Sequence, residues 1–230
     1  RQSMRFSPPL PIDDVLDPLL ESLDRGGCAV LVAPPGAGKT TRVPLALLQA
    51  PWREDKRILV LEPRRLAART AAVRLAESCK DAVGGRVGLR VRLESRIGPE
   101  TRIEVITEGI FTRMILDDPE LTDVAAVIFD EFHERSLDAD LGLALALEQN
   151  FNPSLRILVM SATLDGARVA ALLQEAPIIE SAGRSYAVET RYRPRDPQQS
   201  VEEAVFAVIR ESLQTDQGSI LVFLPGQSEI

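Results

Sequence analysis

Short apolar runs rich in valine, isoleucine and leucine recur along the chain and do not alternate with polar residues. Such runs are too short for buried helices, and their uninterrupted apolar character is typical of strands that are buried on both faces. The pattern predicts five strands, at residues 28–33, 58–62, 103–107, 125–130 and 157–161.

Helix-like stretches separate these predicted strands, at residues 40–49, 66–80, 110–116, 137–149 and 167–174. Strand and helix in alternation predict an α/β fold, with a parallel sheet and helices on both of its faces. In such sheets the functional site lies beyond the carboxyl ends of the strands. The unusual residues of this sequence fall at those ends.

Residues 181–199 interrupt the alternation with glycine, prolines and several charges, which suggests a domain boundary. We assign residues 1–182 to a first domain, and residues 183–230 to a linker and the beginning of a second. The pattern predicts a helix at 201–213 and a buried strand at 220–224. Because a βαβ unit needs about 30 residues, we expect the rest of the second domain to be missing from this chain.

The composition is that of a folded protein, with 45% apolar and 27% charged residues in 230. It excludes disorder as the dominant state. No run approaches the roughly 18 apolar residues of a membrane span, and no signal segment opens the sequence. The two cysteines, Cys28 and Cys79, are interpreted as free thiols of a reducing compartment. We therefore expect a cytoplasmic protein that does not enter a membrane.

The net charge of −7 argues against a protein that coats nucleic acid by bulk attraction. The charges are unevenly placed, however. Between Arg64 and Arg113 there are eleven basic against six acidic residues, and ten of the eleven are arginines. Arginine suits phosphate recognition, but it also suits ion pairs and solvated helix faces. Composition therefore leaves nucleic-acid binding open.

A glycine-rich segment lies between the first predicted strand and the first long helix, with the sequence Ala33-Pro34-Pro35-Gly36-Ala37-Gly38-Lys39-Thr40. Glycines there let backbone N–H groups turn towards a phosphate, beside the positive end of the helix. Lys39 would reach the β and γ phosphates of ATP or ADP, and Thr40 would ligate Mg²⁺. Thr41 is a further candidate contact. The alternative is an incidental glycine-rich turn; the general pattern begins with glycine, where this chain has Ala33.

Two carboxylates, Asp130 and Glu131, follow the predicted strand at 125–130. Asp130 could hold magnesium, and Glu131 could orient and deprotonate the water that attacks the γ-phosphate; we also count Glu131 as a candidate magnesium ligand. His133 is the single histidine of the chain, and we expect it to couple the nucleotide site to neighbouring segments. A metal site of His133 with Asp130, Glu131 and Glu134 is an alternative, but it lacks the further His or Cys ligands of a zinc site.

Five motifs in order carry a family resemblance, namely residues 33–40, Leu61-Glu62-Pro63-Arg64-Arg65, Thr107-Glu108-Gly109, Asp130-Glu131-Phe132-His133 and Ser161-Ala162-Thr163. The set resembles superfamily 2 helicases, and within them the DEAH/RHA group of ATP-dependent RNA helicases. The residues in and around the motifs, including Phe132 in the DEAH box, are similar to those of the bacterial HrpB-type members. The resemblance covers residues 28–193.

The resemblance implies a RecA-like, P-loop fold and a role for each matching residue. Ser161 and Thr163 would link the nucleotide state to strand unwinding, and they complete a catalytic set with Lys39, Asp130, Glu131 and His133. Single-stranded RNA would be gripped by its backbone at Arg64, Arg65, Thr107, Glu108 and Gly109, with little base preference. Arg74 matches an arginine that lies under the adenine ring, although a solvated helix arginine is an equal alternative.

The resemblance also implies a second RecA-like domain, whose arginine stabilises charge on the transferring phosphoryl group. Residues 220–226 look like the first motif of that domain. We therefore expect this chain to bind ADP or ATP with magnesium and to show little or no turnover. The leading interpretation is the first motor domain of an ATP-driven RNA helicase. The alternatives are a nucleotide-dependent scaffold, which would have little use for Glu131, and a DNA-directed motor, since RNA is favoured only by the resemblance.

Overall fold

The computed structural model describes residues 6–148, 152–163, 166–173, 175–183 and 187–226. The chain divides into two compact units, Arg1–Ser185 and Tyr186–Ile230. In the first unit the strands are β1 (Cys28–Val32), β2 (Arg57–Glu62), β3 (Val87–Val91), β4 (Glu94–Arg96), β5 (Ile103–Thr107), β6 (Val124–Phe129), β7 (Arg156–Ser161) and β8 (Ile178–Glu180). Its helices are α1 (Leu16–Gly26), α2 (Lys39–Leu47), α3 (Arg65–Ser78), α4 (Glu108–Asp117), α5 (Leu137–Glu148) and α6 (Gly166–Leu172).

The eight strands form one sheet in the order β4-β3-β5-β2-β6-β7-β1-β8. The pairs of β2 with β5 and β6, and of β1 with β7 and β8, are parallel. The predicted parallel sheet is confirmed, with one antiparallel pair at an edge, where β4 pairs with β3. A turn of two residues joins β3 to β4, and so short a connection can only return the chain antiparallel.

Helices cover both faces of the sheet, as predicted. Side chains of α1, α2 and α3 fill the core on one face, among them Leu19, Val43 and Leu75. Side chains of α4, α5 and α6 fill the core on the other, among them Phe111 and Leu143. The central strands contribute alternate residues to the two cores, which is why their sequences are apolar without interruption.

The five predicted strands and five predicted helices of this unit are all present, with ends within two residues of the predicted ones. Two predicted helix ends, Gln149 and Gln174, lie outside the described residues. Four elements were missed: α1, β3, β4 and β8. The signal for α1 is visible in retrospect, because Leu16, Leu19 and Leu23 lie three and four residues apart and all are buried.

The second unit contains one helix among its described residues, α7 (Val201–Thr215), where residues 201–213 were predicted. Ser200 caps it, since its hydroxyl accepts the Glu203 backbone N–H at 3.2 Å. The predicted strand at 220–224 is wrong: these residues form no strand, and Phe223 is 85% exposed. A strand requires a hydrogen-bonding neighbour. The assignment of 183–230 to a second RecA-like domain stays a prediction. No described helix is long and apolar enough to cross a membrane.

Candidate functional site

Three chain segments meet at the carboxyl edge of the sheet because β7 lies between β1 and β6. The glycine-rich loop follows β1, the two carboxylates follow β6, and Ser161 ends β7. A backbone hydrogen bond of 2.9 Å from Ala33 N–H to the Ser161 carbonyl ties the loop to β7. The topology therefore brings together the residues that the sequence placed in one site.

The loop at residues 33–38 has the backbone of an anion-binding turn. Gly36 and Gly38 adopt φ values of +79° and +98°, which other residues rarely reach. Helix α2 begins at Lys39, so the N–H groups of Lys39 and Thr40 lack acceptors within the helix. Those groups and the positive end of α2 can receive phosphate oxygens. The Thr41 hydroxyl is bonded to the Gly38 carbonyl at 3.2 Å, where it stabilises the loop.

Lys39 is only 4% exposed. Its ammonium nitrogen lies 3.0 Å from Glu131 Oε1, so the carboxylate balances a charge that burial would otherwise penalise. Glu131 itself has a φ of +50°, a strained value for a residue with a side chain, and such residues concentrate at functional sites. The bend turns the Glu131 carboxylate towards the loop.

Asp130 is held from two directions. The Thr40 hydroxyl donates a hydrogen bond of 2.6 Å to Asp130 Oδ2, and the Glu131 backbone N–H donates one of 2.8 Å to Oδ1. The carboxyl is 1% exposed, and this burial raises its pKa, against the opposing effect of the Thr40 hydrogen bond. Two hard oxygen ligands thus lie side by side next to the phosphate loop, which fits the ligand preference of Mg²⁺.

His133 connects the acidic residues with the segment after β7. Its Nδ1 accepts the Ala162 backbone N–H at 3.2 Å, and its Nε2 lies 3.2 Å from Glu131 Oε2. Because Nδ1 accepts this bond, a neutral imidazole carries its proton on Nε2, the nitrogen next to the Glu131 carboxylate. Ser161 and Thr163 are close to this contact, since the Thr163 N–H donates to Ser161 Oγ at 3.3 Å. The described residues contain no group of three His, Cys, Asp or Glu side chains arranged for a metal.

Glu62 is a member of the site that the sequence reasoning missed. It ends β2 next to β6, is 2% exposed and lies against Asp130. Burial, with the negative charge and hydrogen bond of Asp130, raises the pKa of Glu62 to about 9. At neutral pH its carboxyl is therefore protonated and can donate to Asp130. The signal was available, because Glu62 is also a carboxyl residue at the end of a buried strand.

The predicted nucleic-acid contacts do not all lie together. Arg64 is exposed and pairs with Glu134 at 2.9 Å, beside the acidic residues. The other predicted contacts instead line an open groove of about 690 Å³, namely Arg65, Thr107, Glu108 and Gly109. We call this surface, with Arg92 and Arg113, the arginine groove. Arg92 and Arg113 were not predicted individually, although they belong to the arginine-rich stretch between residues 64 and 113.

Glu108 also lines this groove, and its side chain is engaged in a contact within the protein; its predicted contact with nucleic acid stays a prediction. It is 7% exposed, and its carboxylate accepts a hydrogen bond from Ser136. The Ser136 hydroxyl in turn accepts the Ala139 backbone N–H at 2.9 Å in the first turn of α5. The Glu108 side chain therefore joins α4 to α5.

A comparison with known protein families identifies the family to which this geometry belongs. The model of the DEAD/DEAH box helicases matches residues 15–172, which include the phosphate loop, both carboxylates and the Ser161-Ala162-Thr163 motif. The chain belongs to the DEAD/DEAH box helicase family. The family resemblance found in the sequence is thereby confirmed.

Among individual helicases, the chain is similar to the ATP-dependent RNA helicase HrpB of Escherichia coli (strain K12), with 51% identity over 223 residues. It is 35% identical over 236 residues to the ATP-dependent RNA helicase HrpA of the same organism. The crystal structure of Escherichia coli DEAH/RHA helicase HrpB superposes with a TM-score of 0.88 at 50% identity and covers 96% of this chain. The predicted RecA-like fold is confirmed.

The chain corresponds to only part of the length of each of these relatives. The chain spans 27% of the length of HrpB and 18% of the length of HrpA. It also covers 28% of the HrpB chain in the crystal structure.

Arg74 has a different setting from the other predicted contacts of this helicase domain. It is exposed on α3, and no described carboxylate forms an ion pair with it. Its side chain is thus available to a ligand, and the predicted contact with adenine stays a prediction.

Proposed function

We propose that this chain is the nucleotide-binding motor domain of an ATP-dependent helicase that acts on single-stranded nucleic acid, with RNA as the strand. The observation that carries the proposal is the pair of contacts across the carboxyl edge, Lys39 with Glu131 and Thr40 with Asp130. They place a cation, a hydroxyl and two carboxylates around one phosphate-binding loop. That combination matches the needs of magnesium-dependent phosphoryl transfer.

The position of each residue determines its proposed role in nucleotide binding and hydrolysis. Lys39 and the N–H groups of the loop bind the phosphates, while Thr40 and Asp130 hold magnesium. Magnesium, when bound, neutralises charge on the phosphate oxygens. Glu131 accepts a proton from water, and His133, whose Nε2 lies 3.2 Å from Oε2, keeps the carboxylate in position. Glu62 supports Asp130 from the neighbouring strand.

The arginine groove supplies the proposed contact with the strand. Three guanidinium groups and the N-terminal turn of α4, where Thr107 and Gly109 lie, suit phosphate oxygens. Phosphate contacts carry no sequence information, and aromatic residues are 4% of the chain, which leaves few surfaces for stacking bases. We therefore expect binding with little base preference. RNA rather than DNA is supported by the two relatives HrpB and HrpA, since both are named ATP-dependent RNA helicases.

Titration with fluorescent ADP and magnesium tests the nucleotide site. The unaltered chain should bind, and Lys39→Ala should lower the affinity at least about tenfold, because it removes a charge-assisted contact in a buried setting. Lys56→Ala is the matched control, since Lys56 precedes the opposite end of β2. Equal binding by the unaltered chain and Lys39→Ala would contradict the proposal.

The alternative of a nucleotide-dependent scaffold predicts binding without any hydrolysis in the whole protein. Phosphate release measured on a longer form of the protein, with and without Glu131→Gln, separates the two functions. A motor loses turnover with the substitution, whereas a scaffold has none to lose. For the 230-residue chain itself we expect little or no turnover, and the same assay measures it.

A further inference from the structure

The phosphate loop is contacted from outside by a segment that precedes the first helix, residues 6–13, which we call the amino-terminal strap. The strap makes a backbone hydrogen bond to the loop: the Ile12 N–H donates to the Ala37 carbonyl at 3.1 Å. Because the acceptor is a backbone carbonyl of the loop, this bond constrains the conformation of Ala37, between Gly36 and Gly38. Ile12 is fully buried, which protects the bond from water.

Side chains of the strap also lie directly against the loop. A Cβ placed on Gly38 would come within 2.6 Å of Leu10 Cδ1 and 3.2 Å of Ile12 Cγ2. Gly38 is the residue that immediately precedes α2, and its φ is +98°. Leu10 and Ile12 therefore fill the space behind the turn, on the side of the loop where the strap lies.

Arg42 anchors the strap to α2. Its Nη2 donates a hydrogen bond of 2.7 Å to the Pro8 carbonyl, and its guanidinium carbon lies 4.5 Å from the centre of the Phe6 ring. Its Nε is 3.7 Å from Asp13 Oδ1. Because Arg42 is in the first turn of the helix that carries Lys39 and Thr40, the anchor and the phosphate-binding residues move as one unit.

The far side of the strap is held as well. The Ser181 hydroxyl donates to the Pro11 carbonyl at 3.2 Å, and the Ser181 N–H donates to the Val32 carbonyl at 2.9 Å. Val32 is the last residue of β1 before the loop. The strap is thus also attached next to both ends of the phosphate loop, through Arg42 and Ser181, and neither of these two residues is proposed to touch nucleotide.

We propose that the amino-terminal strap is a positioning element of the nucleotide site, in which Leu10 and Arg42 hold the phosphate loop in its binding shape and thereby set the affinity for nucleotide. This inference rests on the proposed nucleotide site. A loop that is already ordered before binding loses less conformational entropy when a ligand arrives. By linkage, bound nucleotide must stabilise the contact between strap and loop to the same extent.

Two variants and one control test the strap by their affinity for fluorescent ADP with magnesium. Leu10→Ala opens space behind Gly38, and Arg42→Met keeps the stem of the side chain while removing its hydrogen bond and ion pair. Both should weaken binding about fivefold or more. Arg25→Met, at an exposed position on α1, should bind like the unaltered chain. Urea unfolding without nucleotide shows how much folded protein each sample contains.

Hydrogen exchange of the Ile12 amide in the unaltered chain gives a second readout when it is compared with exchange of core amides, which nucleotide also slows because it stabilises the whole folded domain. ADP with magnesium, at about a hundred times its dissociation constant, should slow this exchange about tenfold or more, and Lys39→Ala should abolish the effect. If the variants fail to fold, this measurement decides alone. Unchanged Ile12 exchange, or unchanged affinity in folded variants, would overturn the strap while Lys39-dependent binding keeps the nucleotide site. No ADP binding at all would remove both proposals.

Discussion

Lys39 and Glu131 form an ion pair across the phosphate loop, with 3.0 Å between the ammonium nitrogen and Oε1. The proposed function assigns each of them to a different partner: Lys39 to phosphate and Glu131 to water. In the structure the charge of each side chain is balanced by the other. Nucleotide binding must therefore take Lys39 from its carboxylate, and the two interactions compete for one cation.

Glu131→Gln should relieve this competition. The neutral amide attracts Lys39 less strongly, and it also removes a negative charge close to the phosphates, so we expect the affinity for ADP with magnesium to rise about threefold. Titration with fluorescent ADP measures the change. Glu134→Gln is the matched control, because Glu134 pairs with Arg64 instead. Weaker binding by Glu131→Gln would show that this carboxylate acts mainly as a magnesium ligand.

Thr40→Ala tests the assignment of magnesium to Thr40 and Asp130. Removal of the hydroxyl deletes one oxygen ligand, and it breaks the 2.6 Å hydrogen bond that holds Asp130 Oδ2. We expect the affinity for ADP to fall about tenfold in magnesium, and to change little in excess chelator. Thr70→Ala, which removes an exposed hydroxyl on α3, should have no effect in either condition. An equal loss with and without magnesium would contradict the assignment.

The central strands could be predicted because burial on both faces leaves a local record in the sequence. For β3 and β8 the apolar pattern in the sequence is weaker. Gly88 and Arg90 interrupt the apolar run of β3, and β8 has three residues that depend on pairing with β1. The run at 220–224 shows the opposite error, since an apolar stretch forms a strand only where a neighbour completes its hydrogen bonds. Pairing partners are a property of the whole fold.

The candidate site was predictable where a motif and a strand end coincide, as at Lys39, Asp130 and Glu131. The strap contacts were not, because Leu10 and the Pro8 partner of Arg42 lie in a chain segment that folds back over the loop. The setting of Glu108 was equally hidden. Its carboxylate is joined to Ser136, which is distant in sequence, so the motif alone did not indicate this contact.

Glu104 carries a buried charge that no sequence pattern indicated. Its contacts lead to a prediction about the stability of the folded chain. It lies fully buried in β5, between Arg57 at 2.7 Å and Arg90 at 2.8 Å. Glu104→Ala would leave two partly buried guanidinium groups without their shared partner. We expect the free energy of unfolding to fall by about 3–5 kcal/mol.

Urea denaturation of the 230-residue chain measures the effect of Glu104→Ala. Glu21→Ala is a suitable control, because its pairing with Arg25 on α1 is solvent-exposed and is expected to contribute little. A change as small as that of the control would mean that the two arginines find other partners or water when Glu104 is removed. The two ion pairs of Glu104 would then contribute little to the stability of the domain.

The arginine groove makes a prediction that separates phosphate contacts from any other role of its arginines. Arg92→Ala and Arg113→Ala each remove one exposed guanidinium from the groove. Each should weaken binding to single-stranded RNA by a similar factor for different base sequences, since backbone contacts carry no sequence information. Each should also reduce the slope of log affinity against log salt by about 0.7, the value for one phosphate contact on a single strand. Fluorescence anisotropy at several salt concentrations measures both quantities, with Arg25→Ala on α1 as the control. An unchanged slope in both variants would place the strand elsewhere on the domain.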